Sequence, residues 1–466
     1  MSRLLISAAH KSSGKTTITL GLCAALSRRG MAVQPFKKGP DYIDPLWLSM
    51  AADRTCFNLD FYTQSHEEIL TTYARAARDA DISIVEGNKG LYDGTDLEGS
   101  NSSAALASLL GTPIVLVIDT QGITRSVAPL LLGFQSFDRD INIAGVILNK
   151  VGGSRHESKL RAVIERYTDI PVLGAVQRDP QLEIKERHLG LIPSNELSQA
   201  SQTISTIADH IAKQVELDKL LDIARQARPL PDNFSDTQTA TAALDIKLGI
   251  ARDAAFGFYY PDDLAALSAA GAKLVNIDTL QDSHLPEIDG LFIGGGFPET
   301  HMKQLEANVS LRREIRQAIE NGMPVYAECG GLMYLARKIC WHDEQAEMVG
   351  IIPADVIMHN RPVGRGYTLL EETDHLPWRH ANGEPIHAHE FHYSELRGLS
   401  NTAQFAYRVL RGTGIQHGMD GYVYKNLVAT YTHQRHVRKS PWATRFIEFV
   451  RQTRHSTQHR HQKLGV

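Results

Sequence analysis

The sequence predicts an α/β protein made of two open-sheet domains in succession, and three observations carry that prediction. Short apolar runs recur along the chain, each ending in polar residues and followed by helical periodicity, the pattern of parallel strands joined by helical crossovers. Between about 198 and 245 that pattern lapses, and it resumes at IKLGIARD, Ile246 to Asp253. Twice a strand runs into a helix through a glycine-bearing turn that holds chemically useful residues, at AHKSSGKTT and at AECGGLMYL.

Length and composition narrow the field. A chain of 466 residues has room for two domains of ordinary size, each with its own core. The formal charge of −4, from 49 basic and 53 acidic residues, gives no overall field to recruit nucleic acid or an anionic membrane, so small ligands are the expected partners. Cys23, Cys56, Cys329 and Cys340 are scattered with no CxxC pair, which argues against a disulfide framework or a structural zinc and fits a reducing cytoplasm. No apolar run reaches the roughly 18 residues needed to cross a bilayer, so a soluble, cytoplasmic, uncleaved protein is expected.

Leu4 to Ala8 reads as a strand and Thr16 to Ser27 as an amphipathic helix, which makes AHKSSGKTT a phosphate-binding loop. Backbone N–H groups and the helix N-terminus would cradle phosphates, with Gly14, Lys15, Thr16 and Thr17 as the nucleotide-binding residues. Lys15 would reach the β and γ oxygens and Thr16 would ligate magnesium. Ala9 stands where the pattern GxxxxGK[ST] has its first glycine. FKKGPDYIDP, Phe36 to Pro45, then places Asp41 and Asp44 beside Lys37 and Lys38. The strand ISIVE delivers Glu86 into EGNKGLYDG, where Asp93 follows; a carboxylate there, in the sheet of a P-loop, is where a metal ligand belongs. TPIVLVIDTQG, INIAGVILNKV and IPVLGAV are further buried strands, and Asn149 and Lys150 are placed to flank a nucleotide base, with a helix cap the alternative for Asn149. ERHLGL, Glu186 to Leu191, closes the first domain, taken as residues 1–197. Residues 198–245, ending in RPLPDNFSDTQTATAA, read as a helical segment and linker.

The second domain is read as residues 246–451. After IKLGIARD come a helical run, Asp262 to Ala270, and the strands AKLVNI and DGLFIGGG. The glycines Gly294, Gly295 and Gly296 let backbone N–H groups approach a substrate and supply an oxyanion donor. Pro324 to Ala327 is a short apolar strand that turns at Cys329 into a helix beginning with Leu332 and Met333. The turn lifts the thiol over the sheet edge, beside amide groups that would favour its thiolate. A thiol nucleophile needs a base distant in sequence, and among 20 histidines His433 is chosen because the strand Leu427 to Tyr431 aims it at the sheet edge, with His436 in reserve. HAHEFHYSEL lacks the ligands of a metal site and reads as a substrate or interdomain element. Residues 452–466, basic and polar, read as a disordered tail.

Together AHKSSGKTT, FKKGPDYIDP, VEGNKGLYDG, ERHLGL, GGGFPE, YAECGGLMYL and HEFHYS resemble, in order and through both domains, the cobyrinic acid a,c-diamide synthases, glutamine-dependent amidotransferases of tetrapyrrole biosynthesis. The resemblance implies an N-terminal synthetase domain similar to dethiobiotin synthetase and a C-terminal class I glutamine amidotransferase domain of flavodoxin-like build. It implies ATP and magnesium as cofactors, and L-glutamine and a tetrapyrrole polycarboxylate as partners, with a homodimer allowed for. By motif position it puts Thr16, Asp41 and Glu86 around magnesium, Asp44, Asp93, Gly295 and Gly296 toward substrate, and Cys329 and His433 in glutamine hydrolysis. Ordinary triad amidotransferases carry a Glu two residues after the histidine; Arg435 stands there, so no third member is assigned.

The chemistry implied is activation of a carboxylate as an acyl phosphate, followed by attack of ammonia released from glutamine and carried along a sheltered path. Siroheme or a nickel-sirohydrochlorin are the alternative substrates, and a P-loop partitioning or scaffold ATPase with an inactive appendage is the alternative of another class.

Overall fold

The computed structural model describes residues 1–464 except 185, 188–189, 197–198, 231–242 and 380–382. Two compact units divide the chain, residues 1–236 and 237–466. The middle of ERHLGL and most of the expected linker fall outside the described residues.

The first unit is a seven-stranded parallel sheet. Its strands are β1 (Ser2–Ala8), β2 (Val33–Lys38), β3 (Phe57–Leu59), β4 (Ile82–Glu86), β5 (Ile114–Asp119), β6 (Ile143–Val151) and β7 (Val172–Gln177), in the order β3-β2-β4-β1-β5-β6-β7. Leu4, Ile6, Ile82, Ile84, Val115 and Val117 are fully buried, as strands covered by helices on both faces must be. The strand order brings the carboxyl ends of β1, β2, β4 and β6 to one edge, where an open sheet of this kind binds ligands. The helices Ala200–Gln214 and Leu217–Arg225 lie where a helical segment was expected, and they pack into this unit's core, which therefore extends past residue 197. Ile204, Ile207, Ile211, Leu217, Leu220 and Leu221 pack with Ile18, Leu22 and Leu26 of α1 (Lys15–Arg28).

In the second unit a nine-stranded mixed sheet runs in the spatial order Ala272–Ile277, Ile246–Ala251, Gly290–Ile293, Val325–Glu328, Leu427–Thr430, Met419–Tyr424, Gln404–Arg411, Gly364–Glu372, Ile386–His392. The first five strands are parallel and the rest pair antiparallel. Val325–Glu328 and Leu427–Thr430 are neighbours, pairing Ala327 with Ala429 and Glu328 with Thr430. That register puts the segments leaving both strands side by side. Of the expected disordered tail, residues 465–466 lie outside the described residues, and 452–464 are instead the end of a helix, Trp442–Leu464. Arg451 and Arg454 hold its middle to Asp245 and Asp289, the contacts that a composition-based reading of polar residues could not foresee. Among the described residues no helix is long and apolar enough to cross a membrane.

Candidate active sites

At the edge of the first sheet, β1 passes into α1 through a loop held by side chains from β6. Asn149 Nδ2 donates to Ser13 O at 2.9 Å and Lys150 Nζ to Ser12 O at 3.0 Å, while Lys150 also pairs with Asp119 at 2.7 Å. Both residues expected to flank a nucleotide base therefore brace the loop. Gly14 caps α1 with φ 86°, and a Cβ there would lie 2.1 Å from Asn149 Nδ2, so loop and brace require glycine at this position. Ala9 is not among the residues with positive φ, so the position where the pattern has its first glycine does not demand one here.

Beneath the loop lies a buried cluster of charges. Lys37 Nζ, at the end of β2, meets Asp44 Oδ2 at 2.5 Å and Glu86 Oε1 at 2.8 Å, with Asp41 Oδ2 at 3.9 Å. Thr16 Oγ1 donates to Glu86 Oε1 at 2.7 Å and lies 3.3 Å from Asp44 Oδ2. Burial outweighs Lys37 and pushes the Glu86 carboxyl up to about 7; burial, then Asp44, raises Asp41 to about 6. Lys15 is lowered by its own burial, with Glu86 opposing that shift. Lys37 is shared among three carboxylates, so it offsets the cost of burying them only in part, which is why Glu86 and Asp41 are raised.

The expected acids separate by position. Asp44, placed toward substrate by the sequence, joins Thr16 and Glu86. Asp41, placed at magnesium, turns one oxygen inward to the N–H groups of Ile43 and Asp44. Asp93 Oδ2 accepts from Gly90 N–H at 2.9 Å and shapes the loop after β4. Among the described residues no group of three or more His, Cys, Asp or Glu is poised as a metal cage. Glu86 Oε2, however, is buried without a hydrogen-bond partner beside the Thr16 hydroxyl. One carboxylate and one hydroxyl suit magnesium, which takes few protein ligands and completes its shell with water and phosphate.

The second site is a thiol elbow. Val325–Glu328 ends at Cys329, whose φ 48° and ψ −101° leave the strand conformation before the helix Gly330–Leu335 begins. A non-glycine residue in such a region costs about 1–3 kcal/mol and persists only where its surroundings impose it. Here Cys329 N–H donates to Thr430 O at 2.7 Å, and a Cβ on Gly331 would lie 2.2 Å from Ile293 O. Gly295 and Gly296 form a short pairing with Phe256–Phe258. A Cβ on Gly330 would approach Gly296 N to 3.0 Å and one on Gly295 would approach His433 Cε1 to 2.7 Å. The GGGFPE segment thus lies against both Cys329's turn and His433, as a site for a carbonyl oxygen requires. Gly294 N–H is already taken by Tyr259 Oη at 2.9 Å.

His433 is buried and coupled to Cys329. Burial presses its imidazole down, but hydrogen bonds with Cys329 and Glu328 raise it overall to about 10. Behind it His389, from HEFHYS, stacks at 5.0 Å and 19° and exchanges backbone hydrogen bonds with it. HEFHYS is thereby a support for His433. Arg435 is buried against Asp262 at 2.6 Å and over the Tyr260 ring, and His436 lies beyond with its backbone N–H on Asp263. The residue that sequence reasoning missed is Glu328, whose Oε2 is 3.2 Å from His433 Nδ1.

Among families of known proteins, residues 5–192 match the CobQ/CobB/MinD/ParA nucleotide binding domain and residues 247–441 the CobB/CobQ-like glutamine amidotransferase domain. The chain is also similar along its length to proteins named cobyrinate a,c-diamide synthase. It is 47% identical to that of Magnetococcus marinus, with 97% of each chain covered. It is 42% identical to that of Methanosarcina barkeri, again over 97% of each. Against that of Archaeoglobus fulgidus it is 39% identical, over 96% of this chain and 97% of the relative.

Proposed function

The chain belongs to the cobyrinate a,c-diamide synthase family, ATP- and glutamine-dependent amidating ligases, and on that premise we propose how its residues divide the reaction. The observation that carries the proposal is the elbow at Cys329, bent out of the strand and coupled to His433, in the same chain as a braced phosphate loop. The substrate is cobyrinate, amidated on its a and c acetate carboxylates. The relatives' names favour it over siroheme or nickel-sirohydrochlorin, and the intact thiol and imidazole favour an enzyme over a scaffold ATPase.

Cys329 Sγ attacks the amide carbon of glutamine, giving a thioester, and His433 delivers a proton to the departing ammonia. Water then attacks the thioester with His433 as base, releasing glutamate and restoring the thiol. Backbone N–H groups around Gly295 and Gly296 hold the oxygen that becomes negative in both steps. In the first unit Lys15, with the amides of Gly14 to Thr17, takes the phosphates of ATP while a substrate carboxylate attacks the γ-phosphorus. Acyl phosphate and ADP result; ammonia then displaces phosphate and leaves the amide. Thr16 and Glu86 would hold magnesium, with Asp44 beside them, and the ion supplies charge neutralisation for phosphoryl transfer. Asp41 and Asp93 shape the substrate side.

Incubation of the purified chain with cobyrinate, ATP, magnesium and glutamine, followed by mass spectrometry, should show two acid-to-amide changes. Amidation of siroheme in preference to cobyrinate would reassign the substrate while leaving the mechanism.

A further inference from the structure

Glu328 immediately precedes the nucleophile, and along an extended strand neighbouring side chains point to opposite faces. The kink at Cys329 breaks that alternation, so the carboxylate of residue 328 and the thiol of residue 329 both reach His433. The carboxylate is itself fixed. Its Oε1 accepts from Tyr326 Oη at 2.9 Å and from Gln434 N–H at 3.0 Å, and Gln434 Nε2 ties Tyr326 to Tyr407 at 3.1 and 2.8 Å. Its Oε2 is left to face His433 Nδ1, with both side chains almost wholly buried. Arg435, at the position where an ordinary triad has its acid, is committed to Asp262 and Tyr260.

We infer that Glu328 is the third member of this hydrolytic site, a positioning carboxylate supplied by the nucleophile's own strand, which keeps the proton of His433 on Nδ1 and the other ring nitrogen turned to Cys329. A carboxylate facing Nδ1 can only accept, so it fixes the tautomer and stabilises the imidazolium formed when the thiol gives up its proton. Two donors at Oε1 and one at Oε2 occupy the group on both sides, which leaves it no alternative orientation.

The same network makes Glu328→Gln a sharp test. Tyr326 and the Gln434 amide both donate to one position, so the variant's carbonyl oxygen must stay there and its NH₂ must face His433. Nδ1 is then forced to accept, the proton moves to the nitrogen facing Cys329, and that nitrogen can no longer take the thiol's proton. A wrong tautomer imposed on the histidine of a serine protease lowers turnover about 10⁴-fold.

This inference rests on the assignment of Cys329 and His433 to glutamine hydrolysis, so wild type is assayed alongside. A wild type that releases no glutamate removes that assignment. Given an active wild type, Glu328→Gln should lower kcat for glutamine hydrolysis by about 10²-fold or more, with KM within a few-fold and a collapsed ratio of glutamine- to ammonia-driven amidation. The His433 imidazole, followed by NMR of histidine-labelled protein, should titrate at lower pH by about one unit or more. Tyr326→Phe, which keeps the ring packing and removes one donor, should lower kcat less, in the same direction, and serves if the first variant does not fold. Turnover near wild type in folded Glu328→Gln, an unmoved His433 titration, or an unchanged kcat in Tyr326→Phe each overturns the role.

Discussion

The two sites of this chain are assembled in opposite ways. The phosphate site gathers separate strand ends: the loop after β1, Lys37 from β2, Glu86 from β4, and Asn149 and Lys150 from β6, all at one edge of a parallel sheet. The thiol site draws both its nucleophile and that nucleophile's carboxylate support from adjacent residues, and a strained backbone lets the two converge. In the first, sheet topology alone does the positioning; in the second, neighbouring strands bring His433 to the elbow, and one unusual pair of dihedral angles turns both thiol and carboxylate toward it. A substitution in the first should therefore damage one function of several partners, whereas one at the elbow should remove hydrolysis as a unit.

The largest expected effect tests whether the two sites are separable. Cys329→Ser should bring glutamine use below detection while ammonia-driven amidation continues, because only hydrolysis requires the thiolate. Equal loss with both nitrogen donors would mean the sites are not distinct. Lys15→Ala approaches the comparison from the other side: amidation from either donor should fall by about 10²-fold or more, with glutamine hydrolysis surviving and the melting temperature little changed. Amidation within a few-fold of wild type would place the nucleotide elsewhere.

A pH series sharpens the account of the elbow. The His433 imidazole is raised from 6.5 to about 10, so the stability it contributes is complete below 6.5 and is lost as pH rises through about 10. The gap in melting temperature between wild type and Glu328→Gln should narrow over that range; a widening gap contradicts the pairing.

How much of this was legible follows from how each site is built. The phosphate loop is contiguous and Glu86 ends an apolar strand, so residue type and position pointed to both. That Asp44 rather than Asp41 lies beside Thr16 and Glu86 was not legible, because it depends on the turn that gives Asp41 two backbone N–H partners. Asn149 and Lys150 were singled out, but their contact with Ser12 and Ser13 was not legible, since it arises only when β6 lies two strands from β1. Glu328 was hidden by strand alternation, and the one sign of it was negative: Arg435 where an acid was expected. The helices after residue 199 were legible, for Ile204, Ile207 and Ile211 repeat at helical spacing.

The smallest effect concerns the loop itself. Gly14→Ala must place a side chain at positive φ against Asn149, which should destabilise the first unit by about 1–2 kcal/mol and loosen nucleotide binding. Unchanged stability would show that the brace from β6 yields easily.

Nitrogen released at Cys329 is expected to become the amide made with ATP in the first unit. That transfer is tested most directly by supplying cobyrinate, ATP and magnesium with glutamine carrying heavy nitrogen in its amide, in the presence of unlabelled ammonia. Heavy nitrogen in both new amides of the product from wild type, and only unlabelled nitrogen from Cys329→Ser, is the result predicted; heavy nitrogen in the product of Cys329→Ser, or none in that of wild type, would contradict it.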